Sequence, residues 1–237
     1  MTGDMILCLL VFWPMAAALI AYLIGLNNEK ARCYFADFAV IAECVIMVIM
    51  AIGVAGGNEL EAAMPGVCGL GLNLKMDGFR GIYATVAAFM WMMSTIFTRE
   101  YIDHSHGKNR YYMFILFTLG ATAGVFLSAD LFTTFVFFEM MSVASYTWVA
   151  HEETEGALKA ASTYLAVAVI GGMVTLMGLF MLYDLTGTLM VAELHEKVMA
   201  LWDGNQARIY VTGALILFGC MAKAGAYPIH IWLPKAH

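Results

Sequence analysis

Apolar runs close to the width of a bilayer alternate along this chain with short polar breaks. A helix crossing the hydrocarbon core needs roughly 20 mostly apolar residues at a rise of about 1.5 Å each. Residues 5–26 meet that length and stop at Asn27-Asn28-Glu29-Lys30; residues 35–56 form a second run ending in Gly56-Gly57. Residues 57–77 are glycine-rich, hold Pro65 and are patchy in hydrophobicity, which predicts an extended loop. Further spans are expected over 79–97, 111–128, 131–150 and 157–182, and a seventh from Ile209 toward Pro228. Between the sixth and seventh, residues 184–208 are expected to form a loop with an amphipathic stretch near 191–202. The first run has no basic segment before it and is long enough to be kept as a span rather than cleaved as a signal.

Composition sharpens this picture. Hydrophobic residues make up 62% and charged residues 13% of 237, where a soluble domain carries about 25% charge. Too few charges are present to cover a water-facing surface, so a soluble enzyme domain and a disordered chain are excluded. Twelve Lys+Arg against eighteen Asp+Glu leave no basic face for nucleic acid. Cys8, Cys33, Cys44, Cys68 and Cys220 are scattered without a CxxC pair or a histidine at ligand spacing, which predicts small hydrophobes rather than ligands. The fold class expected is an all-α polytopic membrane protein of about seven transmembrane helices, the seventh broken near Pro228.

The informative charges are the few inside apolar runs, because an ionised group at the bilayer centre costs at least about 2.5–3.5 kcal/mol. Glu139 sits mid-run in LFTTFVFFEMMSVASYTW, Lys223 in LILFGCMAKAGAYP and Glu43 in FAVIAECVIMVIM. Asp130 stands at a helix start, where a carboxylate caps the first turn. Each buried charge is open to a plain reading as an interhelical polar contact, and for Glu43 that reading weighs as much as transport. Glu139 and Lys223 form a chemical pair: burial disfavours the charged form of each, and approach of the two restores it. A lysine and a carboxylate that meet and part in this way exchange protons. Beside Lys223, Pro228 lacks an N–H and Gly225 loosens the same turn, so the helix is expected to break there. Broken helices at membrane depth occur where the freed groups face protein or a wet cavity. His230 follows that break and reads either as a satisfied hydrogen-bonding group or as a relay member.

These segments together resemble a known family. FTTFVFFEMMSVASYTWV resembles the fifth-helix motif of the antiporter-like ion-pumping subunits shared by respiratory complex I, multisubunit Na+/H+ antiporters and membrane-bound energy-converting hydrogenases. AASTYLAVAVIGGMVTLMGLFMLYDLTGTL is similar to that family's sixth helix, GALILFGCMAKAGAYPIHIWLPKAH to its broken seventh, and LKMDGFRGIYATV to the start of its third. The resemblance covers most of the chain from about residue 72. It implies proton-channel roles for Glu139 and Lys223 and places His230 on the family's histidine position. Where the family has a helix-six lysine this chain has Thr163, with Lys159 one turn earlier on the same face. Lys159 is therefore the candidate substitute.

The family pattern divides the chain into residues 1–110, three N-terminal helices and their loops, and residues 111–237, an incomplete first repeat with four of five helices. The family continues into an eighth helix and an inverted second repeat. The expectation is then a separate chain supplying those C-terminal helices, or a split or truncated product. Partners expected are other membrane subunits and lipid, not nucleic acid, and no cofactor is expected in this chain. The function implied is translocation of H+ or Na+ through a Glu139–Lys223 relay, with Lys159, His230 and Glu43 as further candidates and Gly225 and Pro228 at the helix break. The setting expected is the cell membrane. Two alternatives are kept: a structural subunit that moves no ion, and a seven-helix retinal protein with Lys223 as Schiff base. Against the latter, Pro228 follows within five residues and Gly219, not an acid, lies one turn before. The isolated H-x-H of His104 and His106 reads as a solvated loop.

Overall fold

The computed structural model describes residues 3–67, 69–102 and 106–236. Cys68, Asp103 and His104 lie outside the described residues. Among the described residues the chain is α-helical apart from one two-stranded hairpin. Two compact units follow each other, Met1–Ser128 and Ala129–His237.

The first unit holds α1 (Gly3–Gly25), α2 (Glu29–Ala55), β1 (Leu60–Met64), β2 (Leu72–Met76), α3 (Gly78–Tyr101) and α4 (Lys108–Phe126). α1 packs against α4 and α2, and α2 against α3. Asn28 caps α2 by accepting the Ala31 N–H at 3.1 Å, and Asp77 caps α3 by accepting the Arg80 N–H at 2.8 Å. The predicted loop over 57–77 is instead largely an antiparallel hairpin, Leu60 opposite Met76 and Met64 opposite Leu72. Its signal is short and period-two: Leu72, Leu74 and Met76 point inward along β2 while Asn73 and Lys75 alternate between them. The Lys75 N–H donates to the Leu127 carbonyl at 2.7 Å, so the end of α4 extends the pairing.

α3 shows how these helices meet their surroundings. Gly81, Ala84, Ala88, Thr95 and Thr98 are buried at helical spacing, whereas Phe79, Ile82, Val86, Met90, Met93 and Phe97 are exposed. Small residues in and large apolar residues out is the arrangement of a helix in lipid, where close backbone approach rather than exclusion of water holds helices together. At the α1–α4 contact a side chain on Gly120 would sit 2.6 Å from Met15 and from the Val11 carbonyl oxygen. Only a glycine fits there.

The second unit holds α5 (Leu131–Val149), α6 (Glu155–Thr186), α7 (Val191–Ala200), α8 (Trp202–Ala224) and, after a break, a 3-10 turn at His230–Trp232 and α9 (Leu233–Ala236). Asp130 caps α5 as expected, accepting the Thr133 N–H at 2.8 Å and its hydroxyl at 2.6 Å. α6 ends at Gly187, whose φ of 72° is the left-handed value favoured by glycine. The amphipathic stretch in the 184–208 segment is the helix α7. α8 starts earlier than expected, at Trp202, with a non-helical step at Asp203 and Gly204. α6 and α8 pack along a row of small residues: a side chain on Gly171 would meet Ala222 at 2.7 Å, and one on Gly219 would collide with Thr175.

Five helices, α1, α2, α3, α6 and α8, are long and apolar enough to cross a membrane. The seven expected spans also include α4 and α5, each 19 residues long but not among those five. α4 opens on Lys108, Asn109 and Arg110, and ten of its residues, from Tyr112 to Gly124, are buried. α5 carries Glu139 with three threonines and two serines. Helices packed within protein have no need of a lipid-matched composition, so apolarity alone under-reads them.

Candidate functional site

Glu139 lies midway along α5, on the side facing α6 and α8. A side chain on Gly172 of α6 would come within 2.7 to 2.9 Å of the Glu139 carboxylate, so the carboxylate rests on bare helix backbone. From α8, Lys223 reaches in until its Nζ stands 3.8 Å from Glu139 Oε1. The Lys223 side chain is 8% exposed and that of Glu139 28%. Phe138 places its ring centroid 4.8 Å from the same ammonium, which shields one side and attracts the charge. Among the described residues, neither Lys223 Nζ nor Glu139 Oε1 has a hydrogen-bond partner. The two groups are therefore within Coulombic reach but not locked by a hydrogen bond.

The break follows directly. α8 closes at Ala224, and Gly225 takes φ 64°, ψ 34°, its N–H donating to the Met221 carbonyl; the Ala226 N–H donates to the same carbonyl at 3.0 Å. The helix thus ends at a glycine cap three residues before Pro228. One turn earlier the Ala222 carbonyl accepts the Trp232 indole N–H at 2.8 Å, so the chain beyond the break folds back on the end of α8. Trp232 stacks edge-on against Tyr164 of α6 with centroids 5.0 Å apart. The Tyr164 hydroxyl meets Ser145 Oγ at 2.6 Å and donates to the Ser142 carbonyl at 3.3 Å. Ser142 and Ser145 lie one and two turns beyond Glu139 on α5. The Ser145–Tyr164 hydroxyl pair and the Tyr164–Trp232 ring contact consequently link the carboxylate's helix to the chain beyond the break. Ser142, Ser145, Tyr164, Trp232 and Gly172 carry no mark in the sequence, since hydroxyl and aromatic residues are common in apolar helices. For Ser142 and Ser145, a spacing of three residues on α5 was the one available signal.

The other candidates fall elsewhere. Lys159 is exposed near the start of α6, thirteen residues or about 20 Å along the helix axis from Gly172. The structure does not bring it to the Glu139–Lys223 pair, and the Thr163 hydroxyl bonds back to the Lys159 carbonyl at 3.0 Å. His230 lies in the 3-10 turn with its ring centroid 5.6 Å from that of Tyr227; its Nδ1 is buried without a partner among the described residues. Pro228 lies in the segment between Gly225 and that turn. Glu43 belongs to the first unit, on α2, fully buried with both carboxylate oxygens unpartnered among the described residues. Among the described residues no group of His, Cys, Asp and Glu is placed to hold a metal ion, and the four described cysteines are unpaired.

The fold and this site define a multi-pass α-helical membrane protein with an ion pair buried among its helices. Three comparisons say what it is similar to. Residues 128–237 match the family described as NADH:quinone oxidoreductase/Mrp antiporter, TM. A Na(+)/H(+) antiporter subunit of Alkalihalophilus pseudofirmus is 26% identical over 212 residues, 89% of this chain and 43% of that protein. A probable K(+)/H(+) antiporter subunit of Rhizobium meliloti is 29% identical over 99% of this chain and 44% of its own length. Among solved structures, the membrane-bound sulfane sulfur reductase, an archaeal respiratory membrane complex, aligns with a TM-score of 0.83 at 25% identity, over 97% of this chain and 47% of that one. The Mrp complex from Dietzia sp. DQ12-45-1b aligns with a TM-score of 0.84 at 20% identity, over 97% of this chain and 25% of that one, which shows the shared fold. The resemblance read from the residues is borne out. The chain spans less than half the length of the curated relatives it matches.

Proposed function

We propose that this chain is an ion-translocating membrane subunit of a multisubunit complex, moving H+ or Na+ through a relay of which Glu139 and Lys223 are the switch. The observation that carries the proposal is the 3.8 Å approach of Lys223 Nζ to Glu139 Oε1 at a depth where both are shielded and, among the described residues, neither is hydrogen-bonded. While the two are close, each stabilises the other's charge. When they separate, Lys223 gives up its proton from Nζ, and on re-approach it takes one back. The Glu139 carboxylate occupies the space a side chain at Gly172 would fill, and α8 ends in a glycine cap two residues after Lys223. The paired hydroxyls of Ser145 and Tyr164, 2.6 Å apart, offer a proton a first step from α5 to α6. The relatives' names, antiporters of Na(+) or K(+) against H(+), support the same class of activity. The complex sits in the cell membrane, with other membrane subunits supplying the driving reaction; this chain contributes no cofactor.

The test is transport in inverted vesicles or proteoliposomes holding the assembled complex, read with pH- and Na+-sensitive dyes. Glu139→Gln and Lys223→Ala are each expected to reduce ion movement at least about tenfold, equivalent to about 1.4 kcal/mol or more on the limiting step. Unchanged transport in both variants, with the complex still assembled, overturns the relay and leaves a structural role for the subunit.

A further inference from the structure

At one end of the first unit, the start of α2, the last turn of α3 and the first turn of α4 enclose a cavity of about 350 Å³. Among the described residues four cations line it, Lys30, Arg32, Arg99 and Lys108, against a single carboxylate, Glu29. The chain as a whole carries a net charge of −6, so this concentration runs against the general balance. Two of the four charges are partly answered. Lys108 lies 3.9 Å from Glu29, and Arg99 is bonded to Asp37 and held over the Tyr34 ring at 4.6 Å.

Arg32 is not answered by any acid among the described residues. It is 2% exposed, its Nε has no hydrogen-bond partner there, and the contact its Nη2 makes is a weak one to Cys33 Sγ at 3.8 Å. Its guanidinium lies 4.9 Å over the Tyr112 ring, which fixes its plane in the cavity wall. Lys30 has no ion pair among the described residues either. A buried guanidinium without an acceptor is costly, and its planar fork matches the oxygens of a phosphate. Beside it, α4 begins after Gly107 with no side-chain cap among the described residues, so the amide end of a 19-residue helix adds positive potential to the same space.

We infer that this cavity binds the phosphate of an anionic phospholipid headgroup. Position favours lipid over free phosphate as the source. The cavity lies where three helices end, and Tyr34, Phe38, Phe97 and Tyr101 are exposed around it and one turn into the spans. That is the level at which aromatic residues mark the membrane interface, and basic pockets between helices there hold anionic headgroups. The acyl chains lie along Phe38 and Phe97 while the phosphate satisfies Arg32, Lys30 and the partly neutralised Arg99. The site belongs to the first unit, not to the one that holds Glu139 and Lys223, and its failure leaves the transport proposal standing.

The experiment uses the full chain in nonionic detergent, titrated with short-chain phosphatidylglycerol or phosphatidylcholine and read by native mass spectrometry. Phosphatidylglycerol is expected to be retained at least about tenfold more tightly, a difference of about 1.4 kcal/mol. Arg32→Gln is expected to abolish that preference. Because Arg32 is buried, the exposed Lys30→Gln decides the matter if the first variant does not fold: it should weaken phosphatidylglycerol about fivefold, the share of one interfacial cation. Lys75→Gln, a cation elsewhere, should leave binding as in wild type. Equal retention of the two lipids, or wild-type binding by Lys30→Gln, overturns the inference. So does full displacement of phosphatidylglycerol by low-millimolar inorganic phosphate, which would make the occupant free phosphate.

Discussion

Two carboxylates lie deep in apolar helices of this protein, and they meet opposite surroundings. Glu43 on α2 is wholly buried, and among the described residues both its oxygens are unpartnered. Glu139 on α5 keeps 28% of its side chain exposed and faces Lys223 at 3.8 Å, with Phe138 and bare Gly172 completing its walls. In the sequence both are acids near the middle of an apolar run, Glu43 among alanine, valine, isoleucine and methionine and Glu139 among phenylalanine, valine and methionine. Burial by itself therefore does not tell the two apart; a group of opposite charge within reach does. Beyond Glu139, α5 carries hydroxyls at Ser142 and Ser145, whereas α2 flanks Glu43 with Ala39, Val40, Cys44 and Met47.

The strongest way to break this contrast is to remove one partner. Lys223→Ala leaves the Glu139 carboxylate without its counter-charge, and breaking such a buried pair typically destabilises by about 3–5 kcal/mol. Thermal unfolding of the complex in detergent is expected to show a clear fall for this variant. The double variant Glu139→Gln/Lys223→Met should regain most of the stability and none of the transport. A double variant as unstable as the single one would mean that packing, not charge, dominates the site.

Next in size is crowding of the close contacts. Gly219→Val drives side-chain atoms into Thr175 and the Gly171 carbonyl, and Gly172→Ala drives a methyl into the Glu139 carboxylate. Overpacking of this kind costs about 1–3 kcal/mol. Gly172→Ala is expected to slow transport with the complex still assembled, because the displaced group is the carboxylate itself; vesicle transport assays on assembled complex check this.

Glu43→Gln should be nearly silent, within about 1 kcal/mol, because an isosteric neutral amide replaces a carboxyl that has no described partner to lose. Unfolding temperature and transport measured together read it. A transport loss equal to that of Glu139→Gln would erase the distinction and give Glu43 a place in the ion path.

The smallest effect lies outside the membrane, at Asp77. Burial pushes its carboxyl up, but the Arg80 N–H and guanidinium and the nearby Lys75 outweigh this and hold it below the usual carboxylate range. A lowered value means that Asp77 stabilises fully above about pH 4, the unfolded value, and that its contribution is lost as pH falls through the folded value beneath it. Asp77→Ala removes the α3 cap at about 1 kcal/mol. Hydrogen exchange of the amides in the first turn of α3 should accelerate in that variant at pH 7, and in wild type only below about pH 4. Wild-type exchange rates in Asp77→Ala would deny the cap its role.

Much of this was legible from residues alone. The helices at 5–26, 35–56, 79–97 and 157–182 follow from run length, the cap at Asp130 from residue type and place, and the break after Lys223 from Gly225 and Pro228. The hairpin of β1 and β2 was not. Its glycines and patchy hydrophobicity read as loop, since a five-residue strand gives only two or three inward side chains and its pairing with the end of α4 is non-local. α7 showed as the amphipathic stretch near 191–202, but the early start of α8 was hidden because polar residues such as Asp203 and Asn205 interrupt the apolar run there. Lys159 shows the limit of spacing along one helix. Spacing on a helix face placed it beside a position of interest, but the face is exposed there and the pair lies about 20 Å further along.

The sequence by itself determined the class of environment, the number and order of the long helices and which ionisable groups must be accounted for. Those follow from local quantities, namely transfer free energy summed over a run and the cost of a charge within it. Only the tertiary structure decided which of the buried charges are partners. It joined Glu139 and Lys223, 84 positions apart, left Glu43 without a described partner, and gathered Lys30, Arg32, Arg99 and Lys108 around one cavity. Such pairings depend on how close two helices come, which is set here by glycines at Gly171, Gly172 and Gly219 whose only mark in the chain is the absence of a side chain.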